Sequence, residues 1–342
     1  MGMAKRRYSK KGNKIEPSAL TLTIPTSVVG GLNPTVVQYL DLSQVVSLVN
    51  RRFYRQGINW AVGGIKILSL SGYSGSVQVS KLPNTWVMSN SWEKGFRNWQ
   101  KMNNEALAQN ESIRPKFLDF KIFADEGHHA AGFAANMLPV AVAGGVTPGE
   151  WESSKFMIPL ATPADPTATA DREVIAVGAN YPGAGASGLN AVSLIEGYAA
   201  SRGLPEVLDP NVPDDAENAS GNVPTNWLAA VFNEGTDQTT DILDVLTDEN
   251  NIAPYPFEND GVNLDTMYPG GANQLSGLQI HSSEFITPTT IGGTTRIKGG
   301  NFPCGLIRFE FENSGETSSL LLEIDLIPGK HRGYLCEPMT EM

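Results

Sequence analysis

Alternation of apolar and polar residues predicts β-strands in several separate parts of this chain. The first is ALTLTIPTSVV (residues 19–29), and later candidates are INWAVGGIKILSLS, SGSVQVSKL, KFLDFKIFA, KFMIPL, REVIAVG and LQIHSSEFITP. Near the C-terminus, CGLIRFEFEN and SSLLLEIDLIPG flank the polar turn SGET and predict a β-hairpin. This distribution favours a mostly-β fold.

Apolar spacing of three and four residues predicts helices in other places. In LSQVVSLVNRRFYRQG, an apolar face extends from Leu42 to Phe53, and Gly57 is expected to end the helix. A second helix is expected after WVMSNS, where an aromatic stripe predicts core packing; its members are Trp92, Phe96 and Trp99. The segments LNAVSLIEGYAASRG and TTDILDVLTDENN also have helical spacing.

Composition limits the organisation of the chain. Its 342 residues can bury a sizeable core, and 35 Gly with 22 Pro suit many short elements joined by turns. Residues 1–16 are predicted to be a disordered arm, and residues 17–342 a shell domain. A surface insertion is predicted at about 182–270, because the acidic, Pro-rich segment LPEVLDPNVPDDAENASGNVP is costly to bury.

Two sequence features bear on the cellular environment. Cys304 and Cys336 have no CxxC spacing, so buried thiols are expected rather than a disulfide framework or a zinc site. The longest uncharged run, residues 130–149, contains two prolines and a Gly pair and is interpreted as buried or loop backbone. No membrane insertion is therefore expected.

One motif resembles a nucleotide-binding loop. The glycines of GAGASG, which are Gly183, Gly185 and Gly188, match GxGxxG after a candidate strand and before a candidate helix. In a dinucleotide fingerprint the strand turns directly into the first glycine, whereas here ANYP intervenes, and no unbroken second parallel strand follows. We interpret the motif as a flexible loop.

Two further motifs are weaker indications of chemistry. SWEK (residues 91–94) matches the SxxK pattern of some acyl-transfer enzymes, but no SDN or KTG partner accompanies it. DEGHH places four metal-ligand types together, namely Asp125, Glu126, His128 and His129, and we interpret it as a solvated turn. The sequence therefore predicts no catalytic residues, no metal site, no cofactor and no enzymatic activity.

Charge is distributed very unevenly along the chain. The net charge is −11, yet six of the 25 Lys and Arg residues lie in the first 14 positions, where no acidic residue occurs. The remaining residues carry 19 Lys and Arg against 36 Asp and Glu, a net charge of −17. The arm and the body are thus expected to interact oppositely with a polyanion.

The arm predicts contact with single-stranded nucleic acid. Basic side chains neutralise phosphates without fixed geometry, and an aromatic ring between them can stack on an unpaired base. The predicted contact residues are Lys5, Arg6, Arg7, Tyr8, Lys10, Lys11 and Lys14. The same composition is typical of a nuclear-localisation segment, and the two roles can coexist; a passive tail is the alternative.

Four stretches resemble the capsid proteins of small circular Rep-encoding single-stranded DNA viruses, particularly the smacovirus-like group. They are LDLSQVVSLVNRRFYRQGINWAVGGI, VSKLPNTWVMSNSWEKGFRNW, KFLDFKIFADEGHH and IPGKHRGYLCEPM. The similarity covers roughly residues 40–129 and the C-terminal 40 residues. One departure is the arm, whose six charges form a shorter basic segment than many related capsids use.

The resemblance implies an eight-stranded antiparallel jelly roll that assembles with copies of itself into an icosahedral shell. It also implies that the shell packages circular single-stranded DNA, with the arm facing the interior, and that the protein is not an enzyme. The expected location is the virion, with the host nucleus as a candidate site of assembly, and no host receptor is indicated. The alternatives are a nucleotide-binding enzyme that uses GAGASG and a secreted jelly-roll binding module.

Overall fold

The computed structural model describes most of the predicted elements. The described residues are 18–30, 34–69, 73–109, 119–140, 146–159, 169–180, 182–201, 277–287, 293–313 and 317–342, together with Ser112 and Leu228. Several predictions lie outside them: the arm, the acidic Pro-rich segment and the helix at TTDILDVLTDENN.

Strands dominate the described part of the chain. They are Thr21–Val28 (β1), Thr35–Asp41 (β2), Ile58–Ser69 (β3), Gly75–Lys81 (β4), Lys155–Pro159 (β5), Thr169–Ile175 (β6), Ala191–Ser193 (β7), Gln279–Ile286 (β8), Thr294–Phe302 (β9), Leu306–Asn313 (β10), Ser318–Leu326 (β11), Pro328–Gly329 (β12), Gly333–Tyr334 (β13) and Cys336–Pro338 (β14). The α-helices are Leu42–Asn50 (α1), Trp86–Gln109 (α2), Glu126–Ala131 (α3) and Leu194–Ser201 (α4). The prediction of a mostly-β fold is confirmed.

Two antiparallel sheets form the main body. In the first, β3 lies between β9 on one side and β11 and β14 on the other, and β1 pairs with the free edge of β11. The second sheet has the order β2-β10-β4-β8. Buried side chains from both sheets, including Ile24, Ile65, Val77, Phe309 and Leu322, belong to one apolar cluster. The core of the body therefore lies between the two sheets.

The predicted C-terminal hairpin is wrong in its pairing, although both of its strands are present. β10 pairs with β2 and β4, whereas β11 pairs with β1 and β3, so the two strands belong to different sheets. Each strand buries alternate side chains, such as Phe309 of β10 and Leu322 of β11. Because alternation identifies the buried face of a strand and not its partner, the same pattern fits a hairpin and a link between facing sheets.

A second apolar cluster is formed mainly by the segment that connects β4 to β8, with Tyr39, Cys304, Leu306 and Met339 contributed from outside it. This segment runs from residue 82 to 278 and so begins well before the predicted insertion. It contains the small sheet β5-β6-β7, in which β6 and β7 are parallel. The predicted aromatic stripe of α2 packs here: Phe120 lies 6.1 Å from Trp92, 6.0 Å from Phe96 and 5.7 Å from Trp99 between ring centroids.

Two predicted helix boundaries are wrong for local reasons. α1 ends at Asn50 because Arg51 adopts a left-handed conformation (φ 53°), so Gly57 is not the terminus. α2 begins at Trp86, within WVMSNS, where the Thr85 hydroxyl accepts a hydrogen bond from the amide of Met88.

KFLDFKIFA is not a strand in its described residues, 119–124, which contain a single bridge from Phe123 to Ile175. Phe123 and Ala124 bond to the backbone of residues 174–177, and two earlier amides donate to side chains. The amide of Ile122 donates to Gln56 Oε1 at 2.7 Å, and that of Lys121 donates to Ser154 Oγ at 3.0 Å. Apolar content alone therefore does not make this segment a strand.

Candidate nucleic-acid interface

The chain enters the described body next to the C-terminal segment. All seven predicted DNA-contact residues, Lys5, Arg6, Arg7, Tyr8, Lys10, Lys11 and Lys14, lie outside the described residues. The amide of Ala19 donates to Asn50 Oδ1 at 3.0 Å, and its carbonyl accepts from the Tyr334 hydroxyl at 2.6 Å. Asn50 Nδ2 in turn donates to the Tyr334 oxygen at 2.7 Å. The body thus fixes the point from which the arm extends.

A basic surface surrounds that point, and we call it the arm-root surface. It consists of Arg51, Arg52, Arg55, Lys330, His331 and Arg332. Four of its cationic side chains are exposed, namely Arg51, Arg55, Lys330 and Arg332. The two segments that supply them, residues 51–57 and 327–335, contain no acidic residue. These segments therefore place four exposed cations on the body in spite of its negative net charge, with the carboxylate of Asp119 near Arg55.

Direct contacts hold these two segments together. The Arg332 guanidinium donates to the carbonyl of Phe53, and the Tyr54 hydroxyl donates to the carbonyl of Arg332 at 3.1 Å. Beneath them, the buried rings of Tyr54, Trp60 and Tyr334 pack with centroid separations of 5.6–6.0 Å. Because buried aromatic packing restricts movement, the cations project from a rigid base.

A buried carboxylate positions the helix that leads to this surface. Asp41 caps α1 by accepting hydrogen bonds from the amides of Ser43 and Gln44, and it also accepts from Gln56 Nε2 at 3.1 Å and Trp151 Nε1 at 2.9 Å. Burial raises the pKa of Asp41 to about 6 in spite of these bonds. Asp41 therefore links α1, the loop that follows it and Trp151.

The sequence interpretation missed the arm-root surface. The signal was available in two short basic clusters, RRFYR and KHR, which are separated by more than 270 residues. The predicted helix continued to Gly57 and included Arg51 and Arg55. The structure ends α1 at Asn50, so both arginines lie in the loop that follows it. The association with Lys330 and Arg332 depends on long-range strand pairing.

The predicted solvated turn at DEGHH is wrong. Asp125 caps α3 by accepting from the amide of His128 at 2.9 Å, and both histidines are buried. The His128 ring stacks on Tyr39 at 4.6 Å, accepts from the amide of Ala124 at Nδ1 and bonds to Asn136 Oδ1 through Nε2. Because Nδ1 is an acceptor, Nε2 carries the proton and the ring is neutral. Within the described part of the chain, no group of three or more His, Cys, Asp or Glu residues could hold a metal ion.

His128 gives a prediction for acid stability. Burial lowers its pKa to about 3, whereas the unfolded value is about 6.5. Between these values the unfolded chain binds a proton that the folded chain does not, so stability falls as pH decreases. From pH 7 to pH 5 this group should cost about 2 kcal/mol.

Urea unfolding of wild type and His128→Asn at both pH values provides the measurement. The asparagine can still accept from the amide of Ala124, and the variant should show a smaller stability loss between pH 7 and 5. Groups such as Asp41 titrate in both proteins and cancel in the comparison. Equal losses in the two proteins would refute this role of His128.

The GAGASG loop packs against α3 and does not begin a helix. The strand β7 separates it from α4, and Gly183 and Gly188 have positive φ angles of 118° and 80°. A methyl group on Gly185 would lie 2.5 Å from His129 Nε2, so close approach to this ring requires glycine. The loop is therefore built for contact with the DEGHH helix, a relation that the sequence interpretation did not foresee.

The two motifs meet at a buried contact between a histidine and a carboxylate. His129 Nε2 lies 2.9 Å from Glu173 Oε2, and both side chains are buried. Ser187 Oγ donates to the same carboxylate oxygen at 2.8 Å, and Ser153 Oγ donates to Oε1 at 2.6 Å. Burial alone would raise the pKa of Glu173, but the hydrogen bonds from His129 and the two serines lower it below its usual value. Both hydroxyls donate to the carboxylate and not to the imidazole, unlike the serine of a hydrolase triad.

The side chains of SWEK and the two cysteines were the remaining candidates for chemistry. Ser91 Oγ donates to the carbonyl of Met88 at 3.0 Å and Lys94 Nζ to Ser201 Oγ at 2.6 Å, so the SWEK side chains have separate partners. Cys304 and Cys336 are free thiols, the first buried and the second half-buried. Burial raises both thiol pKa values, that of Cys336 to about 12.

Comparison of the chain with models of known families, with curated proteins and with solved structures gave no match. Among the described residues, no helix has the length and apolar character needed to cross a bilayer.

Proposed function

We propose that this protein is a viral capsid subunit that assembles with copies of itself and packages circular single-stranded DNA. Within this proposal, the arm and the arm-root surface contact the DNA. The virus group is the circular Rep-encoding one that the sequence resembles. The observation that carries the proposal is the arrangement of strands in the body.

That arrangement supports a jelly roll. Reading β1, β2, β3, β4, β8, β9, β10 and β11 as eight successive strands, the first, third, sixth and eighth form one sheet, and the second, fourth, fifth and seventh form the other. Successive strands of this set thus alternate between the facing sheets, except that β4 and β8 lie side by side in the second sheet. A two-sheet fold of eight antiparallel strands is the jelly roll found in many viral capsids and also in lectins.

Charge supports the capsid over the secreted binding module. A lectin-like module has no need of a cationic arm, whereas a shell that encloses a polyanion needs positive charge on one side. The arm-root surface extends the basic character of residues 1–14 onto the folded body, next to Ala19. Cations at the root would continue the phosphate contacts of the arm.

An exposed apolar strand face supports self-assembly. β8 is the edge strand of the second sheet, and Phe285 and Ile280 are 83% and 59% exposed. A register shift between Val79 and Ser80 places Ile280 opposite Ser80 and Phe285 opposite Ser76, which puts both on the face away from the core. Large exposed apolar side chains on an edge strand favour contact with another chain. We assign this face to a second copy of the subunit.

Sedimentation and negative-stain imaging of the purified protein test the proposal. Wild type should form closed particles of megadalton mass that protect DNA from nuclease. Phe285→Ser combined with Ile280→Ser should reduce particle yield at least tenfold while the subunit remains folded. The matched control is Met157→Ser, which removes an apolar side chain that is 46% exposed on β5. A wild-type protein that stays monomeric under all assembly conditions would refute the capsid function.

A further inference from the structure

A cleft of about 300 Å³ lies between α3, the GAGASG loop and the small sheet. His129 and Glu173 form its buried floor, with Ser153 and Ser187 beside them. Phe133 and Trp151 line its sides. The volume is sufficient for a nucleobase but small for a folded peptide element.

The floor of the cleft accepts hydrogen bonds. The hydroxyl protons of Ser153 and Ser187 and the Nε2 proton of His129 are all directed to Glu173. Each hydroxyl oxygen keeps at least one lone pair, although Ser187 Oγ already accepts from the amide of Leu189 at 3.3 Å. Glu173 Oε1 accepts only one hydrogen bond from the described residues, although a carboxylate oxygen can accept two. A ligand that donates hydrogen bonds from its edge matches this floor.

The walls of the cleft are flat and aromatic. Phe133 stacks on Phe123 with ring centroids 4.3 Å apart, which fixes its orientation. Trp151 is held by its hydrogen bond to Asp41, and its ring contacts Lys121 Nζ, 4.6 Å from the ring centroid. Planar aromatic walls suit a planar ligand, as in the stacking of unpaired bases on aromatic side chains.

The Trp151 wall of the cleft is linked to the arm-root surface through Phe53. Trp151 lies 6.5 Å from Phe53 between ring centroids, and the Phe53 carbonyl accepts the hydrogen bond from Arg332. Lys155 is exposed at the rim together with Glu152. A strand whose phosphates contact the arm-root surface could therefore place a base at the cleft. This link favours a nucleotide over a neutral sugar as the occupant.

We propose that the cleft binds one unpaired base of single-stranded DNA, with preference for a base that carries an exocyclic amino group. This inference rests on the proposed packaging function. Cytosine presents an amino group to the acceptors of the floor, whereas thymine presents one N–H between two carbonyl oxygens that would face the carboxylate. A well-placed hydrogen-bond pair discriminates between bases by roughly tenfold.

Titration of the full-length subunit with dCMP and dTMP tests the preference, with Trp fluorescence and NMR shifts as readouts. We expect dCMP to bind roughly tenfold more tightly than dTMP. Ala134→Trp should abolish dCMP binding because Ala134 is exposed at the cleft and a large side chain there fills the mouth. Ala135→Trp is the matched control, because the Ala135 side chain is also exposed but does not line the cleft. Circular dichroism confirms that both variants fold.

The outcomes separate the cleft from the packaging function. Equal affinities for dCMP and dTMP, no dCMP binding by wild type, or unchanged binding by Ala134→Trp would each overturn the base site. If oligonucleotide binding and DNA-filled particles persisted in those cases, packaging would stand without it. Selective dCMP binding that Ala134→Trp removes and Ala135→Trp retains would establish the site, even if particles failed to form.

Discussion

Deletion of residues 305–342 is expected to abolish cooperative folding of the body. β10 is the only described strand between β2 and β4, and β11 lies between β1 and β3. The deletion removes both, so β1 and β2 lose their described pairing partners. It also removes core side chains such as Phe309, Phe311 and Ile324. The stabilising free energy of the apolar burial that is lost with them far exceeds the typical net stability of a folded domain.

Far-UV circular dichroism and urea unfolding of the 1–304 protein measure this effect. The control is deletion of residues 1–17, which lie outside the described body and should leave the unfolding transition unchanged in slope and within about 1 kcal/mol in free energy. A soluble 1–304 protein with one sharp unfolding transition would contradict the strand arrangement.

Removal of the arm should cause the largest loss of DNA affinity. For single strands, the slope of log affinity against log salt is about −0.7 per phosphate contacted, so six arm cations contribute roughly −4. We expect the arm-deleted subunit to retain a residual slope from the arm-root surface. Neutralising Arg51 and Lys330 to Gln in the full chain should reduce the slope by about 1.4.

Fluorescence anisotropy with a short single-stranded oligonucleotide, titrated at several salt concentrations, gives these slopes. The matched control neutralises Arg296 and Lys298, which are exposed on β9 and make the same change in net charge. If the effect is one of net charge alone, the slope falls equally in the Arg51/Lys330 variant and in the Arg296/Lys298 control. That result would exclude the arm-root surface as a DNA contact. Identical slopes for full-length and arm-deleted subunits would exclude the arm.

The sequence predicted most strands of the two large sheets but missed β2 and β9, although β9 also buries alternate side chains near its start. β3, β4, β8, β10 and β11 all lie within the segments predicted by alternation, because half-burial imposes that pattern. Partner choice could not be read in this way. The alternating sides of β10 and β11 pack against the same core from opposite sheets, and a short polar link permits either arrangement.

Candidate chemistry was harder to predict than strands. DEGHH looked solvated because its residues are polar, yet the His128 ring stacks on the distant Tyr39 and bonds to Ala124 and Asn136 next to the motif. GAGASG looked like an independent loop, yet Gly185 is shaped to His129. Both errors arise from contacts between segments more than 50 residues apart, which no local pattern encodes.

The strand pairing also determines when the body can fold during synthesis of the chain. Every described strand that pairs with β1–β4 begins at residue 279 or later. At roughly 5–20 residues per second, the ribosome needs about 10–40 s to synthesise the chain between β4 and β8, during which the first four strands have no partner from the body. We expect nascent chains to depend on chaperones in this interval. Since Tyr334 follows β11 in the chain and bonds to Ala19, the arm-root surface becomes complete only after β8–β11 have been synthesised.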